Sequence, residues 1–224
     1  MEFAADSVRR SILVGDLPAG ERILLDDLAE DLGISPIPVR EALRVVATEG
    51  LVVPVARRGY TVAPLRVEDL EETYRLRLLL EPLAVQLAVP QLTPAEVDGL
   101  AEELDLLAEA FSAGDWPNHR LHHRNFHFGI YDKCNSPWLL RFTEMLWANS
   151  ERYQYVTTRI KGELRQRATE HKRILKAVRA GDGDGAATLM HDHLTQAEKP
   201  LHAYLAAREA QQADEERESA TASS

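Results

Sequence analysis

The stretch Ser35-Pro36-Ile37-Pro38-Val39-Arg40-Glu41-Ala42-Leu43-Arg44 constrains the fold more than any other part of the chain, together with Thr48-Glu49-Gly50-Leu51 and Arg57-Arg58-Gly59-Tyr60 just beyond it. Ser35 is suited to cap a helix, and a proline in the first turn removes an N–H that would lack a helical partner anyway. Arg40 and Arg44 lie four residues apart, so on a helix they share a face. Ala42, Leu43, Val45 and Val46 offer apolar surface that can seat the helix on its neighbours. A helix docked by one side and presenting guanidinium groups on the other suits a DNA major groove, where arginine bridges guanine acceptors or grips phosphate. An arginine pair alone is more often a solvated face, so the flanking segments decide.

Those segments complete a small domain. Residues 3 to 15, with Phe3, Val8, Ile12 and Leu13, read as an amphipathic helix broken by Gly15-Asp16-Leu17-Pro18-Ala19-Gly20. Asp26 and Asp27 open a second short helix, Leu28 to Leu32, stopped by Gly33. Two short helices joined at a glycine give a helix-turn-helix, the second bearing the arginines. Leu51-Val52-Val53 and Tyr60-Thr61-Val62 flank Arg57-Arg58-Gly59 as a two-stranded wing. Three helices and a wing make a winged helix over residues 1–65.

This segment resembles the N-terminal domain of the GntR family of transcription regulators. The resemblance rests on Ile12-Leu13-Val14-Gly15-Asp16-Leu17-Pro18-Ala19-Gly20-Glu21-Arg22, Leu28-Ala29-Glu30-Asp31-Leu32-Gly33-Ile34-Ser35, Pro38-Val39-Arg40-Glu41-Ala42-Leu43-Arg44, Glu49-Gly50-Leu51 and Arg58-Gly59-Tyr60-Thr61-Val62. It implies DNA contacts from Ser35, Arg40, Arg44, Arg57, Arg58 and Gly59. Pro36 and Asp26 depart from it, standing where the family commonly has arginine.

Composition limits the alternatives. No run approaches the ~18 apolar residues of a membrane span, and the N-terminus has no basic-then-apolar leader, which predicts a cytoplasmic protein. Cys134 is the single cysteine, so no internal disulfide can form. The net charge of −10 disfavours indiscriminate nucleic-acid binding. Residues 36 to 60 run the other way, with Arg40, Arg44, Arg57 and Arg58 against Glu41 and Glu49. Such a weakly basic reading face predicts salt-sensitive binding that needs two half-sites, hence a homodimer on a palindromic operator.

After the linker Ala63-Pro64-Leu65-Arg66 the pattern is helical throughout. Helices are expected over 67–89 (with a break before Pro82), 94–111, 117–133, 137–159, 163–180 and 183–208. Thr93-Pro94-Ala95-Glu96 reads as a capping box. Amphipathic helices joined by short loops pack as an antiparallel bundle. The fold class is therefore mainly α, a winged helix-turn-helix at residues 1–65 followed by a helical bundle at 66–210. The polar residues 211–224 are expected to be disordered.

His119, His123 and His127 are spaced four apart on one helix, and His171 and His193 lie on two later ones. An i, i+4 histidine pair can hold one metal ion from a single helix, although a lone core histidine is the commoner case. The bundle is similar to the metal-carrying ligand domain of FadR-like regulators in Arg77-Leu78-Leu79-Leu80-Glu81-Pro82-Leu83-Ala84, Phe126-His127-Phe128-Gly129-Ile130, Glu170-His171-Lys172-Arg173-Ile174-Leu175, Ala180-Gly181-Asp182 and His193-Leu194. That likeness implies His127, His171 and His193 as ligands of a divalent metal, zinc or nickel. It puts His123 where the family has aspartate. Four neutral imidazoles suit these metals and leave the ion its full charge, favouring an anionic ligand. Proton competition is expected below about pH 6.5, the ordinary imidazole value. The likeness also implies that Arg77 faces a small carboxylate effector, with an ion pair to Glu81 one turn on as the structural alternative. His119, His122, His191 and His202 have no counterpart and are expected at the surface.

An enzyme using the histidines is the rival reading. It would want a general base like the glutamate of His-Glu-x-x-His, yet Arg124, Asn125 and Phe126 separate His123 from His127. A transcription regulator modulated by an organic acid is the expectation.

Overall fold

The structure is a computed structural model that describes residues 2–13, 15–55, 59–157 and 163–222. Along the chain run α1 (Glu2–Leu13), β1 (Arg22–Ile23), α2 (Leu25–Leu32), α3 (Pro36–Thr48), β2 (Val52–Val55) and β3 (Gly59–Val62). There follow α4 (Val67–Ala88), a single 3₁₀ turn, α5 (Pro94–Ala113), α6 (Trp116–Tyr131), α7 (Pro137–Thr157), α8 (Glu163–Arg179) and α9 (Gly183–Ala222). Among the described residues, no helix is long and apolar enough to cross a membrane.

The chain divides into two compact units that are not contiguous in sequence. The first comprises residues 1–73, 147–159 and 201–224, the second 74–146 and 160–200.

In the first unit, the winged helix closes around Val8, Val39, Ala42, Leu43, Val46, Leu51 and Val62, all at or below 1% exposed. Gly33 ends α2 in the left-handed conformation (φ 64°), which costs glycine nothing and redirects the chain into α3. Ser35 occupies the N-cap position with extended backbone, but its hydroxyl makes no capping bond; Pro36 sets the first turn instead. The wing differs from expectation. It is three-stranded, in the order β1-β3-β2, because Arg22 and Ile23 pair antiparallel with Thr61 and Tyr60. Two residues are too short to leave an alternation in the sequence.

The linker is also more firmly held than its composition suggests. Ala63 is buried, and the Arg152 guanidinium of α7 donates to its carbonyl and, at 3.4 Å, to that of Pro64. Asn149 donates to Thr73 at 2.8 Å, the Tyr153 hydroxyl donates to Asp69, and Glu209 of α9 accepts from the Val67 N–H at 3.1 Å. Residues near 150 and 205 thus belong to the unit containing the winged helix, which is why its boundary does not fall at residue 65.

Where the polar composition after residue 210 suggests disorder, α9 runs on to Ala222. Alanine, glutamate, glutamine and arginine dominate this segment and are strong helix formers. A helix already nucleated upstream extends through them at little cost.

In the second unit, α5 starts with the expected capping box, Thr93 and Glu96 bonding each other's backbone N–H groups. Asp115 caps α6 by accepting from the Asn118 N–H. The expected break before Pro82 is absent, and α4 passes through it. Helices α5 and α6 pack against each other, and Leu100, Leu104 and Leu107 of α5 and Phe126 and Ile130 of α6 are buried.

Candidate metal centre and DNA-reading face

On α3 the buried residues Val39, Ala42, Leu43 and Val46 fix which side meets the core, and this turns Arg40 and Arg44 outward. Arg44 pairs with Glu41 at 2.8 Å across an exposed surface, a contact of small energetic value. A cleft of about 500 Å³ brings Arg40 and Arg44 together with Gly59, Tyr60, Arg22 and Asp26. Gly59 enters β3 at φ +87°, a backbone conformation that a side chain would strain. Arg57 and Arg58 lie outside the described residues. Arg22 was not assigned a role from sequence. Its place beside the recognition helix depends on β1, the strand that the sequence pattern did not disclose.

The histidines form a different kind of group. On α6, His127 falls between Phe126 and Phe128 on the buried face, and His123 lies one turn before it. On α8, Arg167, His171, Ile174 and Val178 repeat at helical spacing along one stripe, of which the last three are buried. On α9, His193 is buried beside Leu194. One ring nitrogen from each of His123, His127, His171 and His193 lies within 4.8 Å of all the others. The Nε2 atoms of His127 and His171 are 3.1 Å apart. Two imidazole nitrogens bound to one zinc at ~2.0–2.1 Å stand roughly 3.3 Å apart, so this pair already has nearly the spacing of common ligands.

The surroundings prepare the rings for that role. Burial, followed by the neighbouring imidazoles and the charges of Arg77 and Arg167, lowers the pKa of His123, and burial likewise heads the causes that lower His127 and His171. His193 is also lowered by burial, with Glu170 pulling in the opposite direction. The rings therefore stay neutral, the form that binds a metal. Outer partners orient two of them. His193 Nδ1 is 2.8 Å from Glu170 Oε2, and His127 Nδ1 is 2.9 Å from the Tyr131 hydroxyl. Both arrangements leave Nε2 for the shared space, as in carboxylate–histidine–metal relays. The donor set, spacing and tautomer control all fit a divalent ion of the zinc or nickel type.

Arg77 is 1% exposed, and its Nε donates to Glu81 Oε1 at 2.5 Å, with Nη2 at 3.4 Å from Oε2. Burial opposes its charge, but Glu81 outweighs burial and the guanidinium pKa is raised. The ion pair weighed as the structural alternative is thus present. Of the histidines expected at the surface, His191 is exposed and His202 meets Glu71 at 2.8 Å. His122 and His119 are corrections. His122 is half-buried against Glu103 at 2.7 Å, and His119 is half-buried among Phe111, Trp116 and His123. Both lie on α6 turns that pack inward, a property of the helix's seating rather than of its own sequence. Sequence reading also assigned no role to Tyr131, Glu170 or Arg167.

A winged helix-turn-helix with outward arginines, in one chain with a helical ligand-binding domain, defines a DNA-binding transcription regulator. The chain belongs to the gntR family of bacterial regulatory proteins, which residues 1–62 match, and residues 72–196 match the FCD domain. It is 35% identical over 183 residues to the HTH-type transcriptional regulator McbR of Escherichia coli, covering 80% of this chain and 82% of that protein. The solved structure of E. coli McbR superposes with a TM-score of 0.81 at 29% identity, covering 90% of this chain and 96% of the other. The E. coli transcriptional repressor GlaR is 28% identical, over 84% of this chain and 89% of its own length. These relatives are regulators, which disposes of the enzyme reading.

Proposed function

We propose that the protein is a homodimeric repressor that binds a palindromic operator, and that a small organic acid held at a divalent metal modulates this binding. The metal ligands are His123, His127, His171 and His193. The observation that carries the reading is the convergence of these four neutral imidazoles from three helices, three of them buried and His123 half-buried. Four neutral donors leave a bound cation uncompensated, and an anionic ligand would relieve that charge. Arg77 adds positive potential, and an incoming carboxylate would compete with Glu81 for it.

Repression is supported by the description of GlaR as a repressor. DNA contact is assigned to Arg40, Arg44, Ser35 and Gly59, with Arg57 and Arg58 of the wing. Homodimerisation is supported by exposed apolar side chains at helical spacing on two helices of the second unit. Leu76, Leu79, Leu83 and Leu87 are each at least 41% exposed on α4, and Trp138, Phe142 and Met145 at least 44% on α7. Such a surface fits a second copy of the chain.

The test is a gel shift on DNA flanking the protein's own gene, repeated with a panel of small carboxylic acids on zinc-loaded and chelator-treated protein. The reading expects an acid that shifts operator affinity by about 5–150-fold only in the loaded protein. An acid that acts equally on both forms defeats the metal-centred reading. A chain that is monomeric on sedimentation at micromolar concentration defeats the dimer.

A further inference from the structure

One run of buried polar groups reaches the metal centre from α4. Arg77 and Glu81 are paired on that helix, Glu81 Oε2 lies 2.6 Å from the Tyr131 hydroxyl, and Tyr131 lies 2.9 Å from His127 Nδ1. Arg77, Glu81, Tyr131 and His127 are each no more than 1% exposed. Water has little access to such a chain, so its protons are set by donor and acceptor count.

The count has one solution. Arginine has only donors, and the carboxylate paired with it only accepts. The Tyr131 O–H must therefore point at Glu81. Met190 Sδ, 3.5 Å away, is a weak acceptor that does not compete with a carboxylate at 2.6 Å. With its single proton committed, the Tyr131 oxygen can only accept from His127. His127 must then carry its proton on Nδ1, which leaves a bare lone pair on Nε2. That lone pair faces His171 Nε2 at 3.1 Å. Two bare nitrogens would repel at this distance, so in the metal-free protein His171 carries its proton on Nε2 and donates it to His127.

The geometry points to Tyr131 as a positioning residue, which with Glu81 and Arg77 locks His127 in the tautomer that presents Nε2 as a metal ligand. His171 is the complementary, unlocked ring. Its Nε2 proton must leave before that nitrogen can ligate. In the neutral ring the proton reappears on Nδ1, which has no hydrogen-bond partner among the described residues. The same relay ties a ligand on α6 to α4, so the metal centre and Arg77 are parts of one hydrogen-bonded system. This inference rests on the metal reading above, but its first test does not need a metal.

In chelator-treated, ¹⁵N-labelled protein, long-range ¹H–¹⁵N correlations at neutral pH should find His127 as the Nδ1–H form and His171 as the Nε2–H form. An Nε2–H His127 overturns the proposal outright. In Tyr131→Phe, which keeps the ring and deletes only the hydroxyl, His127 should lose its single tautomer. Zinc affinity by chelator competition should fall about 10–100-fold, the usual weight of an outer partner of a ligand histidine. A merely structural hydroxyl would lower the thermal midpoint of the metal-free protein and leave zinc affinity unchanged, and that result also overturns it. Should Tyr131→Phe fail to fold, the wild-type tautomers decide. Should wild type take up no zinc, the metal reading falls while the same tautomers still decide the relay.

Discussion

Helices α3 and α6 carry basic side chains at the same four-residue spacing, Arg40 with Arg44 and His123 with His127, and the two pairs have opposite surroundings. On α3 the apolar residues Val39, Ala42, Leu43 and Val46 occupy the other face, so both arginines are exposed. On α6 the buried residues Phe126, Phe128 and Ile130 flank His127 itself, so the histidine stripe turns into the core and meets α8 and α9. Spacing creates a pair; the position of the apolar stripe relative to it decides between an exposed cationic face and an inward-turned imidazole cluster. The residue types agree with their settings. Arginine holds its charge in any surroundings, whereas imidazole gives up its proton when buried and becomes a ligand.

The sharpest way to break this contrast is to empty the buried site. Dialysis against a strong chelator should lower the thermal midpoint, since a ligand at 100 to 1,000 times its Kd stabilises by about 2.7–4.1 kcal/mol. His127→Ala should remove the metal dependence of the midpoint altogether. A midpoint indifferent to chelator and to added zinc would leave the histidines as plain core residues.

On the exposed side, Arg40→Ala should weaken operator binding by about 1–3 kcal/mol and leave metal content untouched. Footprinting titrations on wild type and variant, with metal analysis of each, would show whether the two sites can be damaged separately.

Acid should act on the buried pair alone. The folded pKa values of His123, His127 and His171 lie well below the ordinary value of about 6.5 that they regain on unfolding. Between those limits the unfolded chain binds protons that the fold refuses, so metal-free stability must fall as pH drops below about 6.5 and level off only beneath the folded values. Denaturant titrations of chelator-treated protein from pH 7.5 to 5 measure this. A flat profile would mean the rings are hydrated. The same depression agrees with proton competition setting in below about pH 6.5, the ordinary imidazole value, and pushes metal release further into the acid range.

The smallest effect concerns Arg167, one turn before His171 on the same stripe of α8. Its charge adds to burial and the neighbouring imidazoles in lowering His123, His171 and His193. Arg167→Gln should therefore tighten zinc binding, by roughly three- to tenfold for one charge in partly screened surroundings. Weaker binding by chelator competition would show that the side chain supports the site rather than opposing the cation.

Much of this molecule is written locally. The capping box at Thr93 and Glu96, the glycine stop at Gly33, the seating of α3 and the helical course from α4 to α9 follow from short-range rules of capping, propensity and apolar spacing, and they were legible for that reason. The four histidines could be grouped from sequence only through resemblance to a family, since spacing alone links His123 to His127 but says nothing of His171 and His193. Strand β1 was invisible because two residues carry no periodicity; it exists through its pairing with β3. Beyond residue 210 polarity and helix propensity point in different directions, and α9 follows the propensity to Ala222. The fastening of the linker by Arg152 and Glu209, the choice of Glu81 as the partner of Arg77, and the Tyr131 relay to His127 were decided by tertiary structure. Each joins residues far apart in the chain or depends on which face of a helix is buried, and such contacts are fixed only when the helices pack.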